Sequence, residues 1–206
     1  MSFVFVSHSR YDKQEKEFFA KTIDNTQLLR PLFMENENLN NQNAGLIIRN
    51  NILSNDCKCL VVLIGNRILF PPGYNFSFTH NWVGFEVGVA SCANKPIIVF
   101  EEDLENLNDI VPFPIPFLNH YVRYRQDESN SNYIARLLRG NIPRDVFPMN
   151  IKCPYVHCRA EYAYWILRKT EIEERMPCPA CRGLFRPSVD ENLTRDNSFD
   201  FMPSNV

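Results

Sequence analysis

Residues 59–64, CLVVLI, form an unbroken apolar run, and this run constrains the fold more than any other stretch of the chain. A strand with one wet face alternates apolar and polar residues, whereas a parallel strand covered on both faces reads as a continuous apolar segment. The run therefore predicts a central strand of a parallel sheet. FVFV at residues 3–6 and PIIVF at residues 96–100 predict similar strands, and LLRPLFM and HYVRY are weaker candidates.

Amphipathic helix patterns lie between these strand candidates. DKQEKEFFAKTI, LIIRNNILSN, WVGFEVGVASC and SNYIARLLRG each place apolar residues on one helical face. Strands and helices alternate about five times, which predicts a doubly wound α/β sheet with right-handed crossovers. Ligands of such sheets bind beyond the carboxyl ends of the strands, where we expect the polar or irregular segments 7–10, 35–43 and 67–78 to gather.

Composition narrows the class of protein. A chain of 206 residues suggests one domain, or one domain with a small appendage. The formal net charge of −2 gives no reason to expect a nucleic acid or a membrane surface as the main partner. The start, MSFVFVSHSR, has no basic leader, and the longest apolar runs are too short to span a bilayer. Seven cysteines, an odd number, argue against a complete disulfide framework, so we expect reduced thiols and a cytoplasmic protein.

Two close cysteine pairs lie in the last third of the chain. Cys153 and Cys158 are spaced as C-x4-C, and Cys178 and Cys181 as C-x2-C. Four thiolates can surround one tetrahedral Zn²⁺ at about 2.3 Å per bond, and four protein ligands leave no open position, which predicts a structural zinc. His157 could replace Cys158 as a ligand, and unlinked reduced pairs or disulfides are the alternative to a metal.

The cysteine pairs also suggest a division of the chain. NIPRDVFPMN carries two prolines and no clear periodicity. We expect an α/β domain over residues 1–142, a linker over 143–151, a zinc ribbon over 152–187 and a disordered tail over 188–206. A ribbon of this size buries too little surface to fold alone, so the metal would supply its stability.

The predicted ribbon has a mildly basic surface with several aromatic residues. Its seven Lys and Arg against four Asp and Glu suggest weak contact with a protein or a nucleic acid. The alternative is a structural cap on the α/β domain.

Four motifs in the first 140 residues resemble those of TIR (Toll/interleukin-1 receptor-like) domains. FVFVSHSRYD is similar to their first strand and loop, and LFMENENLNNQNAG to their second strand and the long loop after it. CLVVLIG matches their central strand, and WVGFEVGVASCANKPIIVF resembles the helix in which a Trp precedes a Glu by four residues. The resemblance implies a flavodoxin-like doubly wound parallel sheet, here followed by the small C-terminal zinc ribbon.

Many TIR domains cleave the nicotinamide–ribose bond of NAD⁺, and the resemblance implies that activity here, with NAD⁺ as substrate. It carries the catalytic role to Glu86. The substrate-binding positions that it implies are Trp82, Ser7, His8, Phe33 and Glu35. The family more often has Asp where this chain has Glu35. Among prokaryotic members the products, ADP-ribose or a cyclic isomer, serve defence signalling, and self-association of TIR domains is expected.

The chemistry of NAD⁺ agrees with so sparse a site. Ordinary glycosidases need two carboxylates, one of which protonates the leaving group. Nicotinamide already carries a positive charge and leaves as a neutral base, so one carboxylate suffices to stabilise the ribosyl cation. Trp82 and Glu86, four residues apart, are neighbours on a helix surface. Two other functions stay open: a non-catalytic interaction module, and an enzyme resembling nucleoside deoxyribosyltransferases.

Overall fold

The computed structural model describes residues 2–8, 13–34, 43–64, 77–103, 118–140, 148–165, 176–188 and 200–203. Its strands are β1 (Phe3–Ser7), β2 (Arg30–Phe33), β3 (Cys57–Ile64), β4 (Ile97–Glu102), β5 (His120–Tyr124), β6 (Pro148–Lys152), β7 (Glu161–Trp165), β8 (Met176–Pro177), β9 (Leu184–Ser188) and β10 (Asp200–Pro203). Its helices are α1 (Lys13–Asp24), α2 (Ala44–Leu53), α3 (Ser77–Cys92) and α4 (Glu128–Leu138).

Seven of these strands form one sheet in the order β2-β1-β3-β4-β5-β7-β6. All neighbouring pairs are parallel except β6 and β7, which are antiparallel. The order of the first five strands is that of flavodoxin-like sheets, so the predicted α/β class is confirmed. Pro31 lies in the edge strand β2, where a missing backbone N–H is tolerated.

The continuous apolar run of β3 is explained by helices on both faces of the sheet. Leu60 and Val62 belong to a buried cluster with residues of α2 and α3. Val61 and Leu63, which point the other way, belong to a second buried cluster with residues of α1 and α4. Because both faces are covered, neither set of side chains can be polar.

Polar side chains fix the starts of two helices. Asn43 Oδ1 accepts a hydrogen bond of 3.2 Å from the backbone N–H of Leu46 at the start of α2. Asp127 Oδ1 accepts one of 2.7 Å from the N–H of Asn130 at the start of α4. Each bond satisfies one of the backbone donors that a helix leaves free in its first turn.

The cysteine-bearing segment is built into the main sheet. β7 pairs in parallel with β5, with His120 opposite Ala163, and the Trp165 indole donates a 3.1 Å hydrogen bond to His120 Nδ1. Buried Ile151 and Tyr164 belong to the same core cluster as α2 and α3. A small second sheet, β10-β9-β8, completes the region.

Two expectations about this region differ from the structure. Residues 148–151, expected within a linker, belong to β6, because the hairpin continues the sheet rather than standing apart from it. Residues 200–203, expected within a disordered tail, form β10 and pair with β9 in antiparallel register. The cysteine region and the α/β region therefore share one sheet and one core, where the sequence suggested two separate cores.

Candidate functional site

The strand order of the sheet reverses between β1 and β3. β1 lies between β2 and β3, and the helices that follow β1 and β3 cover opposite faces. Phe19 of α1 packs in one core cluster, whereas Val87 of α3 packs in the other. Chain segments that leave two neighbouring strands toward opposite faces open a crevice at their carboxyl ends, which is the usual ligand site of such sheets.

Glu86 lies on α3 next to this crevice. The apolar helical face predicted for this segment consists of Val83, Val87 and Ala90, which pack in the core, and Glu86 itself is only 7% exposed. Burial raises the pKa of its carboxyl group to about 7, and Ser7 opposes the shift in part. Burial is the physical cause, because the ionised form loses its hydration. Glu86 therefore holds its proton to a higher pH than an exposed carboxyl group does.

Ser7 ends β1 and is 2% exposed. Its hydroxyl lies close enough to lower the pKa of Glu86, yet its Oγ makes no hydrogen bond of good geometry within the described residues. A buried hydroxyl without a partner is costly, which makes Ser7 Oγ a candidate contact for a ligand.

His8 is the second polar side chain at the end of β1. Its Nδ1 lies 3.3 Å from the carbonyl oxygen of Val6. A carbonyl only accepts, so Nδ1 carries the proton, and Nε2 of the neutral ring is an acceptor. Burial lowers the pKa of His8 to about 4, with the nearby charge of Lys16 adding to the effect, so the ring is neutral at pH 7. Nε2 is buried and has no hydrogen-bond partner within the described residues.

Phe33 forms a wall beside His8. The two rings meet edge to face, with centroids 5.1 Å apart and planes at 82°. The ammonium group of Lys16 lies 5.4 Å from the centroid of Phe33, within the range of a cation–π contact. Sequence reasoning missed Lys16, because nothing in the charged stretch of α1 distinguishes it from neighbouring surface lysines.

The structure thus brings together four of the predicted residues. Ser7 and Glu86 are neighbours, and His8 follows Ser7 and contacts Phe33. Trp82 lies one turn before Glu86, is partly buried against the core, and meets Phe85 edge to face at 5.9 Å. Glu35, and most of the segments 7–10, 35–43 and 67–78, lie outside the described residues.

The four predicted metal ligands form the cysteine cluster, Cys153, Cys158, Cys178 and Cys181. All their Sγ atoms lie within 4.8 Å of one another. The Sγ atoms of Cys153 and Cys181 are 3.7 Å apart, and those of Cys158 and Cys178 are 3.8 Å apart. A tetrahedral ZnS₄ centre with bonds of about 2.3 Å has sulfur atoms about 3.8 Å apart. The cluster therefore can hold a metal ion.

Backbone groups around the cysteine cluster suit thiolate ligands. The N–H groups of Tyr155 and Ala160, each two residues after a cysteine, point at the sulfur atoms of Cys153 and Cys158. Such N–H groups stabilise the negative charge of a metal-bound sulfur. His157, the alternative ligand, is exposed and is not a member of the cluster.

Gly183 is needed for the tight packing of the cysteine cluster. A Cβ atom at this position would lie 2.3 Å from the ring of Tyr155. The Tyr155 hydroxyl donates a 2.6 Å hydrogen bond to the carbonyl of Leu184, so the ring is fixed across the second cysteine pair. Only glycine leaves room for this approach.

Comparisons with known proteins assign neither a family nor a function to the chain. No protein-family model matches the chain, and no curated protein gives a significant match. Across the described ranges, no helix has both the length and the apolar character required to cross a bilayer. The resemblance drawn from the four motifs stays a prediction.

Proposed function

We propose that the protein is an NAD⁺ nucleosidase that cleaves the bond between nicotinamide and ribose. The observation that supports this best is the buried Glu86 carboxyl group beside the unsatisfied hydroxyl of Ser7, at the strand-order reversal. Burial of both groups lowers the stability of the fold, and carboxyl groups whose pKa is perturbed by burial in a cleft are typical of functional sites. A cationic group rich in hydroxyls would satisfy both.

The reaction needs one negative charge. The nicotinamide nitrogen leaves with the bonding electron pair and becomes neutral, so no proton donor is required. Positive charge develops at ribose C1′, and ionised Glu86 would stabilise it strongly because the site is poorly hydrated. Water then adds to C1′ and releases a proton, which gives ADP-ribose. Attack by a nucleophile of the same ADP-ribosyl unit would give a cyclic isomer instead.

The other residues would bind and orient the substrate. Ser7 can donate to or accept from a ribose hydroxyl, and neutral His8 can accept through Nε2. Phe33 and Trp82 offer aromatic surfaces against which a planar ring can stack. Glu35 is proposed as a further substrate contact on the resemblance alone.

The proposal extends to the setting of the reaction. We assign Zn²⁺ to the cysteine cluster as a structural ion, which suits a reducing, cytoplasmic compartment. Defence signalling in a prokaryote, with self-association that completes the site, follows from the resemblance. The mildly basic surface of residues 152–187 would contact a protein or a nucleic acid at most weakly.

Nicotinamide release by purified full-length protein tests the proposal. Glu86→Gln keeps the size of the side chain and removes its charge, so we expect the rate at saturating NAD⁺ to fall by about 10²–10³-fold. Glu161→Gln is the matched control, since Glu161 is an exposed carboxylate on β7 that pairs with Lys152. It should turn over at the parent rate. A folded Glu86→Gln protein as active as the parent would exclude the proposed mechanism.

The two rival functions have distinct outcomes. Release of free base from deoxynucleosides, but not from NAD⁺, would indicate a deoxyribosyltransferase-like enzyme. No release from either at high protein concentration would favour an interaction module. The buried carboxyl group of Glu86 argues against that module, because a scaffold gains nothing from a destabilising charge.

A further inference from the structure

Glu101 is a buried carboxylate near the carboxyl end of β4, and it accepts three short hydrogen bonds from Arg182 and Tyr121. Arg182 Nη1 donates to Oε2 and Nη2 to Oε1, each at 2.7 Å. The Tyr121 hydroxyl adds a 2.9 Å hydrogen bond to Oε2. Glu101 is 1% exposed and the side chain of Arg182 is 9% exposed. A bidentate pair of this kind is geometrically specific. Removal of one partner strongly destabilises the fold, because the other charge stays buried without compensation.

Arg182 is part of the turn that carries the second cysteine pair. It directly follows Cys181, and its backbone N–H donates to the carbonyl of Cys178 at 2.7 Å. The Cys178 N–H donates in turn to the carbonyl of Gly183 at 2.9 Å. The φ of Arg182 is +62°, a left-handed conformation that residues other than glycine adopt only where surrounding structure holds them. The turn in this conformation also carries Cys178 and Cys181, two members of the cysteine cluster.

Glu101 connects this turn with the strands of the candidate site. In the sheet register Glu101 lies opposite Ile64, the last residue of β3. Two residues earlier on β3, Val62 lies opposite Ser7 of β1. The Arg182–Glu101 pair therefore lies at the same carboxyl edge of the sheet as the candidate site. Glu101 on β4 is two strands away from Ser7 on β1.

We propose that Arg182 is a positioning residue that couples metal binding at the cysteine cluster to the carboxyl edge of β3 and β4. With metal bound, the turn holds the guanidinium against Glu101. Without metal, the left-handed turn loses its support, Arg182 moves, and buried Glu101 keeps the Tyr121 hydroxyl but loses the guanidinium that balances its charge. The inference does not depend on the proposed catalytic activity, because it concerns the stability of the sheet.

Thermal unfolding and amide hydrogen exchange of the full-length protein test this coupling, with Zn²⁺ bound and after removal by a chelator. In the parent, we expect metal removal to lower Tm by about 6–20 °C, the shift that the loss of a buried charge partner gives in a chain of this size. Exchange should rise in residues 97–102 of β4 as well as near the cysteines. Arg182→Met should still bind one zinc by elemental analysis, yet show the raised β4 exchange before any chelation.

Two further variants make the result decisive. Lys152→Met is the matched control, because Lys152 forms an exposed ion pair in the same region, at 3.0 Å from Glu161, and its loss should change neither Tm nor exchange. If Arg182→Met does not fold, the double variant Arg182→Met/Glu101→Gln replaces it, since it leaves neither charge of the pair buried alone. Metal removal should then raise β4 exchange less than in the parent. The coupling is refuted if metal leaves the parent without a change in β4, or if Arg182→Met responds to chelation in β4 as the parent does.

Discussion

Ser7 at the end of β1 and Glu86 on α3 place a hydroxyl and a carboxyl group side by side in the interior, without a hydrogen bond of good geometry between them. The two residues are 79 positions apart in the chain, and each is less than 10% exposed. Burial raises the pKa of Glu86 above that of a surface carboxylate, and the neighbouring hydroxyl of Ser7 is close enough to modulate it.

Burial of Glu86 makes the stability of the fold depend on pH. The pKa of its carboxyl group rises from 4.5 to about 7 on folding, so this group favours folding fully below pH 4.5 and loses that contribution as pH rises through 7. The loss amounts to roughly 3 kcal/mol at pH 8. Glu86→Gln should therefore be more stable than the parent at pH 8 and gain least at pH 5. Urea unfolding of both proteins at the two pH values measures the difference, and an advantage that is equal at both would contradict the assigned burial.

Replacement of His8 separates a ligand-binding role from a packing role. His8→Phe keeps a ring of similar shape against Phe33 and removes the buried acceptor Nε2. Since that nitrogen is unsatisfied in the free protein, the variant should unfold at the parent temperature or above it. It should lose about 10–100-fold in kcat/KM for NAD⁺, the effect of one missing hydrogen bond to substrate. A lower Tm with unchanged kinetics would show that His8 only packs.

Metal analysis tests the cysteine cluster. We expect one zinc per chain in the purified parent and none in Cys178→Ser, whose hydroxyl is a poor replacement for a thiolate. Cys92→Ser is the matched control, because Cys92 is an exposed thiol outside the cluster. It should keep one zinc and the parent Tm. A parent that folds with the same Tm after complete chelation would remove the structural role of the metal.

Two glycines test how tightly the cysteine region is packed. Gly183→Ala would drive a methyl group into the ring of Tyr155, which a hydrogen bond to Leu184 holds in place, so we expect a loss of about 1–3 kcal/mol and weaker zinc retention. Gly88→Ala on α3 meets open space and should stabilise the fold by up to about 1 kcal/mol. Chemical unfolding measures the free energy of unfolding of each variant against the parent. If the two variants changed the free energy of unfolding equally, the Tyr155 ring would have moved aside without loss of stability.

The sequence by itself determined the helices and parallel strands of the α/β region and the four clustered cysteines. The unbroken run in β3 and the spacing of Val83, Val87 and Ala90 predict a doubly covered strand and a helix face, because local periodicity records which sides are buried. The spacing of the two cysteine pairs predicted the four residues that the structure brings together, since short turns set the distance between ligands within each pair.

Only the tertiary structure decided how these parts combine. Nothing local indicates that β7 pairs with β5, or that Arg182 meets Glu101, because these partners come from segments 45 and 81 residues apart. The raised pKa of Glu86 has the same origin. Its spacing from Trp82 was readable in the chain, but the loss of hydration depends on elements from several parts of the fold packing around one carboxyl group. Helical and strand periodicity are properties of neighbouring residues, whereas burial and pairing arise only when distant segments meet.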